Sequence, residues 1–255
     1  MKKTNVEVNV MMFGGRRVGK TSILATMQSC FNDEFGASNL MITPADPETM
    51  FALEEKQNEI ESYYGKNKRN FIPEGEYTGD MMEYRIDVRL KSKMNGDLTI
   101  NFIDYPGEWL GRPEKAELLK NQMQRSNVII VAIDTPYLME ETADNDRKTL
   151  GQYNDYRNYC KRIGNMLMQC DKKEEPIMIL FVPLKCEKYM HNREMDVVSA
   201  KIKEAYKSVF NLYSGINTKG AQIAITPVLT TGNIEFAKFM RNSETQEIII
   251  EDGYK

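Results

Sequence analysis

The sequence predicts a three-layer α/β/α fold, with helices on both faces of a mostly parallel six-stranded sheet that carries one antiparallel edge strand. Three observations predict it. The apolar runs Val128–Ile133 and Ile177–Val182 have the length and continuity of strands buried on both faces of a parallel sheet. Stretches with helical spacing alternate with such runs along almost the whole chain. Near the start, the apolar stretch Val6–Phe13 runs through the loop GGRRVGKTS into Ile23-Leu24-Ala25-Thr26-Met27, giving strand, loop and helix in that order.

That loop matches G-x-x-x-x-G-K-S/T, with Gly14, Gly19, Lys20 and Thr21 in the fixed places. Its glycines let the backbone curl, so the N–H groups of Gly14, Gly15, Arg16, Arg17, Val18, Gly19, Lys20, Thr21 and Ser22 can face a polyphosphate. The helix that follows adds its positive N-terminal end. Lys20 reaches the β- and γ-phosphates as a point charge, and the Thr21 hydroxyl suits Mg²⁺. A nucleoside triphosphate with Mg²⁺ is the ligand this pattern predicts.

Composition narrows the remaining classes. The chain has 255 residues and a net charge of −3, with no basic block of the kind a nucleic-acid footprint needs. No apolar run approaches the length of a membrane span, and Met1–Asn5 lacks a signal-peptide apolar region. Cys30, Cys160, Cys170 and Cys186 form no C-x-x-C pair, and the lone His191 supplies no metal cluster. These features lead to the expectation of a cytoplasmic protein with reduced thiols, without a membrane or nucleic-acid partner.

In chain order, the first helix is expected from Lys20 to about Phe31, with a polar turn at Asn32–Gly36. Thr43-Pro44-Ala45-Asp46-Pro47 reads as a break, followed by a helical segment with Met50, Leu53, Gln57 and Ile60 on one face. Residues 63–70 and 73–80 read as loops. Tyr84–Leu90 and Leu98–Ile103 alternate with period two around Asn95-Gly96, an antiparallel hairpin signal. Pro113 opens the next helix. After strand Val128–Ile133, a polar loop around Thr142–Asp146 precedes a long helix whose apolar stripe runs from Leu150 through Tyr153, Tyr156, Tyr159 and Ile163 to Leu167. Strand Ile177–Val182, a helix through Val198–Val209, strand Ile223–Ile225 and a short helix Ile234–Met240 complete the core. The tail Glu247–Glu251 reads as an edge strand or a linker.

A second informative stretch, Asp104-Tyr105-Pro106-Gly107-Glu108-Trp109, stands directly after an apolar strand. An Asp there can hold Mg²⁺ through water, and Pro106-Gly107 can turn the Gly107 N–H toward a γ-phosphate.

Together these motifs resemble the P-loop GTPases of the translation-factor and Ras-like class. The nearest likeness is the bacterial double-GTPase-like group, through IDYPGEW and ITPVLTTG, and it covers Val6 to about Met240. The resemblance implies the P-loop NTPase fold in a single domain over residues 1–242, with 36–80 as an enlarged first switch carrying its own helix and 243–255 as a C-terminal tail. It implies GTP and GDP as ligands. Where such GTPases carry N-K-x-D, this chain has Leu184-Lys185-Cys186-Glu187: the Asn is missing, Lys185 can pack on a base, and Glu187 can accept hydrogen bonds from guanine N1 and N2. The alternative for Glu187 is a surface charge leading a helix. Thr230 stands where the last base-contacting loop of the family lies. For the Thr that ligates Mg²⁺ from the first switch, Thr78 is the first choice and Thr43 the alternative.

The resemblance also implies how hydrolysis is catalysed: by Lys20, Thr78, the Gly107 N–H and the residue at 108. Ras-like members place a water-orienting Gln at that last position, whereas this chain has Glu108, a carboxylate that a γ-phosphate repels. Arg112 and Arg16 are candidate fingers in cis, each also readable as a solvated charge. Slow intrinsic turnover, helped by a protein effector or activating partner or by self-association, is the expectation. A P-loop ATPase or small-molecule kinase, and a nucleotide-binding scaffold without useful hydrolysis, are the competing readings.

Overall fold

The strands form where β-branched and aromatic residues run unbroken, and their ends decide where the chemistry sits. The computed structural model describes residues 6–15, 18–34, 39–66, 80–92, 98–140, 156–168, 177–213, 222–229, 234–241 and 248–254. Strand β1, Val6–Phe13, passes from an exposed start to four fully buried residues at its end. It is followed by helix α1, Lys20–Glu34, strand β2, Leu40–Pro44, and helix α2, Pro47–Lys66. Strands β3, Met82–Leu90, and β4, Leu98–Asp104, come next. A 3₁₀ turn at Gly107–Gly111 and another at Pro113–Lys115 lead into α3, Ala116–Arg125. Strand β5, Val128–Asp134, runs into the short α4, Thr135–Met139. Then follow α5, Tyr156–Met168, and β6, Met178–Leu184. Helices α6, Glu187–His191, α7, Met195–Ala205, and α8, Lys207–Tyr213, precede β7, Gln222–Ile225.

The main sheet has seven strands in the order β2-β3-β4-β1-β5-β6-β7. Strand β3 runs antiparallel to both neighbours, and β1, β4, β5, β6 and β7 pair in parallel. The expected α/β/α class and its single antiparallel strand are therefore present, with one correction. The sheet has a seventh strand, β2, which covers β3 and takes the edge itself. Thr43 and Pro44, read as a break, are the last two residues of that strand. Pro lacks a donor, and an edge strand that ends on it leaves no ladder bond unmade. Asp46 then caps α2, its Oδ1 accepting from the Thr49 N–H at 2.7 Å, with Pro47 as the first helical residue.

The two faces of the sheet bury separate clusters. Met11, Phe13, Ile129, Val131, Ile179 and Phe181 face α3, α5, α7 and α8, where Leu119, Ile163, Val198 and Val209 meet them. Val10, Met12, Ile86, Phe102 and Val182 face α1 and α2 through Leu24 and Leu53. Fully burying each such side chain stabilises the fold by about 1.5–3 kcal/mol relative to exposure. Of the predicted stripe, Ile163 and Leu167 are buried in the first of these clusters and Tyr159 packs against it, while Leu150 and Tyr153 lie outside the described residues.

Further differences follow from local chemistry. Helices α1 and α2 run past their predicted ends to Glu34 and Lys66. The predicted helix through Val198–Val209 divides at Tyr206, whose ring is buried against Phe181 at 4.8 Å. The short helix expected at Ile234–Met240 is instead a strand, β8 (Ile234–Arg241). It pairs antiparallel with β9, Ile248–Tyr254, in a separate two-stranded sheet. A register irregularity between Phe236 and Lys238 interrupts the regular pairing of these two strands. Among the described residues no helix is long and apolar enough to cross a membrane.

Candidate functional site

Strands β4, β1, β5 and β6 lie side by side in parallel, and the described residues of the predicted site gather at their carboxyl ends. That is where an open α/β sheet leaves a crevice for ligands. The loop after β1 is shaped by two glycines. A Cβ on Gly14 would meet Val18 Cγ1 at 2.9 Å and the Ala132 Cβ and carbonyl at 3.1 Å, so the loop can lie against β5 only without a side chain there. Gly19, at φ 103°, holds a backbone conformation that L side chains rarely adopt, immediately before α1 begins. The Ile23 N–H donates to the Gly19 carbonyl at 3.1 Å, which closes the first turn and leaves the earlier amides of the helix end for an anion.

Lys20 is almost fully buried, its ammonium donating to the carbonyls of Gly14 at 3.4 Å and Gly15 at 3.3 Å. It stands 3.9 Å from Asp104 Oδ1 and 5.9 Å from the centre of the Tyr105 ring. Burial pulls the Lys20 ammonium below its ordinary pKa, and the charges of Asp104 and Glu108 work against that shift. Asp104 ends β4 directly beside Met12 of β1, so sheet register brings it to the loop. Its Oδ2 accepts from the Thr21 hydroxyl at 2.6 Å, while its Oδ1 has no hydrogen-bond partner although it is buried. Thr21 and Asp104 thus fit a hard divalent cation: a hydroxyl and a carboxylate converge, and one carboxylate oxygen is left over.

Tyr105 is fully buried, edge-on to Phe13 with ring centres 5.5 Å apart, and anchors the stretch after Asp104. Burial raises its phenol well above the ordinary value, with the Asp104 charge adding to the shift. Gly107 is buried and begins the 3₁₀ turn, whose first bond runs from the Trp109 N–H to the Pro106 carbonyl at 2.9 Å. Glu108, half-buried, is close enough for its charge to act on Lys20. Arg112 is exposed.

On the base side, β6 ends in Leu184, which is fully buried and reaches within 3.6 Å of where a Gly19 side chain would stand. Leu184 and Val18 of the phosphate loop belong to one buried apolar cluster, which ties this motif to the loop at the position of the missing Asn. Lys185 follows in a left-handed conformation, φ 53°, and its ammonium donates to Asp134 Oδ2 at 2.7 Å. Glu187, first residue of α6, is 1% exposed, so it is not a surface charge leading a helix. The Cys186 thiol lies against the Val228 carbonyl at 3.7 Å, and burial pushes its pKa up to about 12.

The structure brings Gly14, Gly15, Val18, Gly19, Lys20, Thr21 and Asp104 together, with Gly107 and Glu108 on the stretch that follows Asp104. Thr78, Arg16, Arg17 and Thr230 lie outside the described residues. Thr43 sits in β2, separated from β4 by β3. Asp134 was missed. Its signal was available: VIIVAID and LTINFID are both apolar strands that end in Asp. Beneath the loop, Gly15, Val18, Asp134, Tyr159 and Cys160 line a cavity of about 30 Å³. That is room for a water or two.

A family profile described as Double-GTPase 2 matches residues 9–222. No curated protein sequence matches the chain. Among solved structures, the S. cerevisiae Ski7 GTPase-like domain bound to GDP and inorganic phosphate is similar over 89% of this chain and 44% of that chain, with 12% identity and a TM-score of 0.50. The same domain bound to GTP matches with 13% identity, the same coverage and a TM-score of 0.50. The chain spans under half the length of these structures, and at such identity they show the fold alone.

Proposed function

Because this chain belongs to the Double-GTPase 2 family, we propose that it binds GTP and hydrolyses it slowly to GDP and phosphate, acting as a Mg²⁺-dependent nucleotide switch. The observation that carries the reading is the convergence of Lys20, Thr21 and Asp104 at the ends of β1 and β4, with the buried Glu187 at the far side of the same crevice. Lys20 and the loop amides bind and orient the triphosphate, and the Gly107 N–H is placed to meet its terminal phosphate. Mg²⁺, when bound, neutralises charge on the phosphate oxygens, and Thr21 and Asp104 are the residues that would hold it. Glu187 accepts from guanine N1 and N2, a donor pair that adenine lacks.

Slow turnover is motivated by Glu108. A carboxylate beside the terminal phosphate is repelled and orients water poorly. Glu108→Gln is expected to raise the single-turnover hydrolysis rate roughly tenfold, a loss of about 1.4 kcal/mol in barrier. An unchanged or lower rate would show that Glu108 does not limit the reaction. The same deficit motivates an activating protein partner or self-association, which raises the rate of family GTPases by up to about 10⁵-fold. The reading includes a cytoplasmic location, motivated by cysteines without C-x-x-C pairing.

Titration with fluorescent GTP and ATP in the presence and absence of Mg²⁺ tests the proposal. GTP is expected to bind at least about 100-fold more tightly than ATP, as a site that loses two paired donors requires. Equal affinities, or tighter ATP binding, would favour the ATPase or kinase reading instead.

A further inference from the structure

We propose that Asp134 is the positioning residue of the base site: it holds Lys185 as a fixed platform for the purine in a motif that lacks its Asn. This rests on the GTP-binding reading above and names a residue that neither the phosphate motifs nor the Leu184–Glu187 stretch contains.

The geometry begins with the sheet. Strands β5 and β6 pair in parallel, and their last residues, Asp134 and Leu184, stand opposite one another. Lys185 is the next residue, and its left-handed backbone turns the chain at the strand end. A lysine in such a place has four rotatable bonds and a hydrated head, so by itself it offers a base no defined surface. Here the head is captured. Its ammonium lies 2.7 Å from Asp134 Oδ2, and the two side chains are 16% and 9% exposed.

Asp134 is itself held in an unfavourable place. Burial raises its pKa, and the charge and hydrogen bond of Lys185 oppose that shift, with the Tyr137 N–H adding to them. The carboxylate and the ammonium thus hold one another across the adjacent ends of β5 and β6. With its head held there, the stem of Lys185 supplies four methylenes, an apolar edge on which a purine can lie. The Asn of the family's pattern is replaced by Leu184, which shares one buried apolar cluster with Val18 of the phosphate loop.

The test measures GDP and tripolyphosphate affinity on the same full-length variants, since tripolyphosphate reads the phosphate loop without the base. Asp134→Ala is expected to weaken GDP binding about tenfold or more, the loss of one charge-assisted contact. Tripolyphosphate affinity should stay within about twofold, because the loop is untouched. Lys185→Ala should do the same, and the double variant should be no worse than either single one. Asp134→Asn, which keeps the volume and an acceptor oxygen, covers the case in which the alanine variant does not fold; an intermediate loss is expected. GDP affinity unchanged in Asp134→Asn and Asp134→Ala, or tripolyphosphate affinity falling by the same factor as GDP, would overturn the positioning role. If the unmodified protein binds tripolyphosphate but not GDP, the guanine reading fails first, and the inference with it.

Discussion

Lys20→Ala is expected to abolish tight triphosphate binding, weakening it by about 10²–10³-fold. Among the described residues of the loop, Lys20 is the basic side chain, and charge-assisted hydrogen bonds are worth about 1.5–3 kcal/mol each. Two of them account for the expected loss. The bonds it now makes, to the carbonyls of Gly14 and Gly15 at 3.4 and 3.3 Å, are long for its type and are readily exchanged for phosphate oxygens. The variant also leaves the buried Asp104 carboxylate without the cation 3.9 Å away, while it relieves the burial of the ammonium itself. These effects oppose one another, so folding should survive and the binding loss should be readable by calorimetry. Triphosphate affinity within threefold of the unmodified protein would remove the phosphate loop from the argument.

Glu187→Ala carries the second largest expected effect. A buried carboxylate that accepts two hydrogen bonds from guanine supplies most of the discrimination against adenine, on the order of 10²-fold or more. Its removal is expected to lower GTP affinity about 100-fold and to leave ATP affinity nearly unchanged, so that the two nucleotides bind alike. Because Glu187 is 1% exposed at the first position of α6, the variant must be shown to fold, and circular dichroism with a thermal scan checks that. A GTP preference that persists in a folded variant would mean that another group reads the base.

The two ends of this site differ in how they are written into the chain. Gly14, Gly19, Lys20 and Thr21 act within a few residues of one another, and their chemistry follows from backbone conformation and residue type. Asp104 was legible for a related reason: an apolar strand ending in Asp and followed by Pro-Gly has a local signature. Glu187 was legible as a candidate from its neighbours Lys185 and Cys186, yet its burial depends on how α6 packs. Elements were lost where the local pattern was short or out of phase. Strand β2 is five residues ending in proline, and it exists because β3 offers it a ladder from Leu90 to Ile86. Strand β8 carries a register irregularity, and pairing with β9 overrides the helical reading.

The sequence by itself determined the α/β/α class, the phosphate loop with Lys20 and Thr21, and Asp104 as their partner, because each rests on contacts between near neighbours or on an unbroken apolar strand. Only the tertiary structure decided that Glu187 is buried, that Leu184 packs near Gly19, and that Asp134 holds Lys185. The Asp134–Lys185 contact joins residues brought together by the parallel register of β5 and β6, which is set by long-range pairing and leaves no spacing in the chain to read.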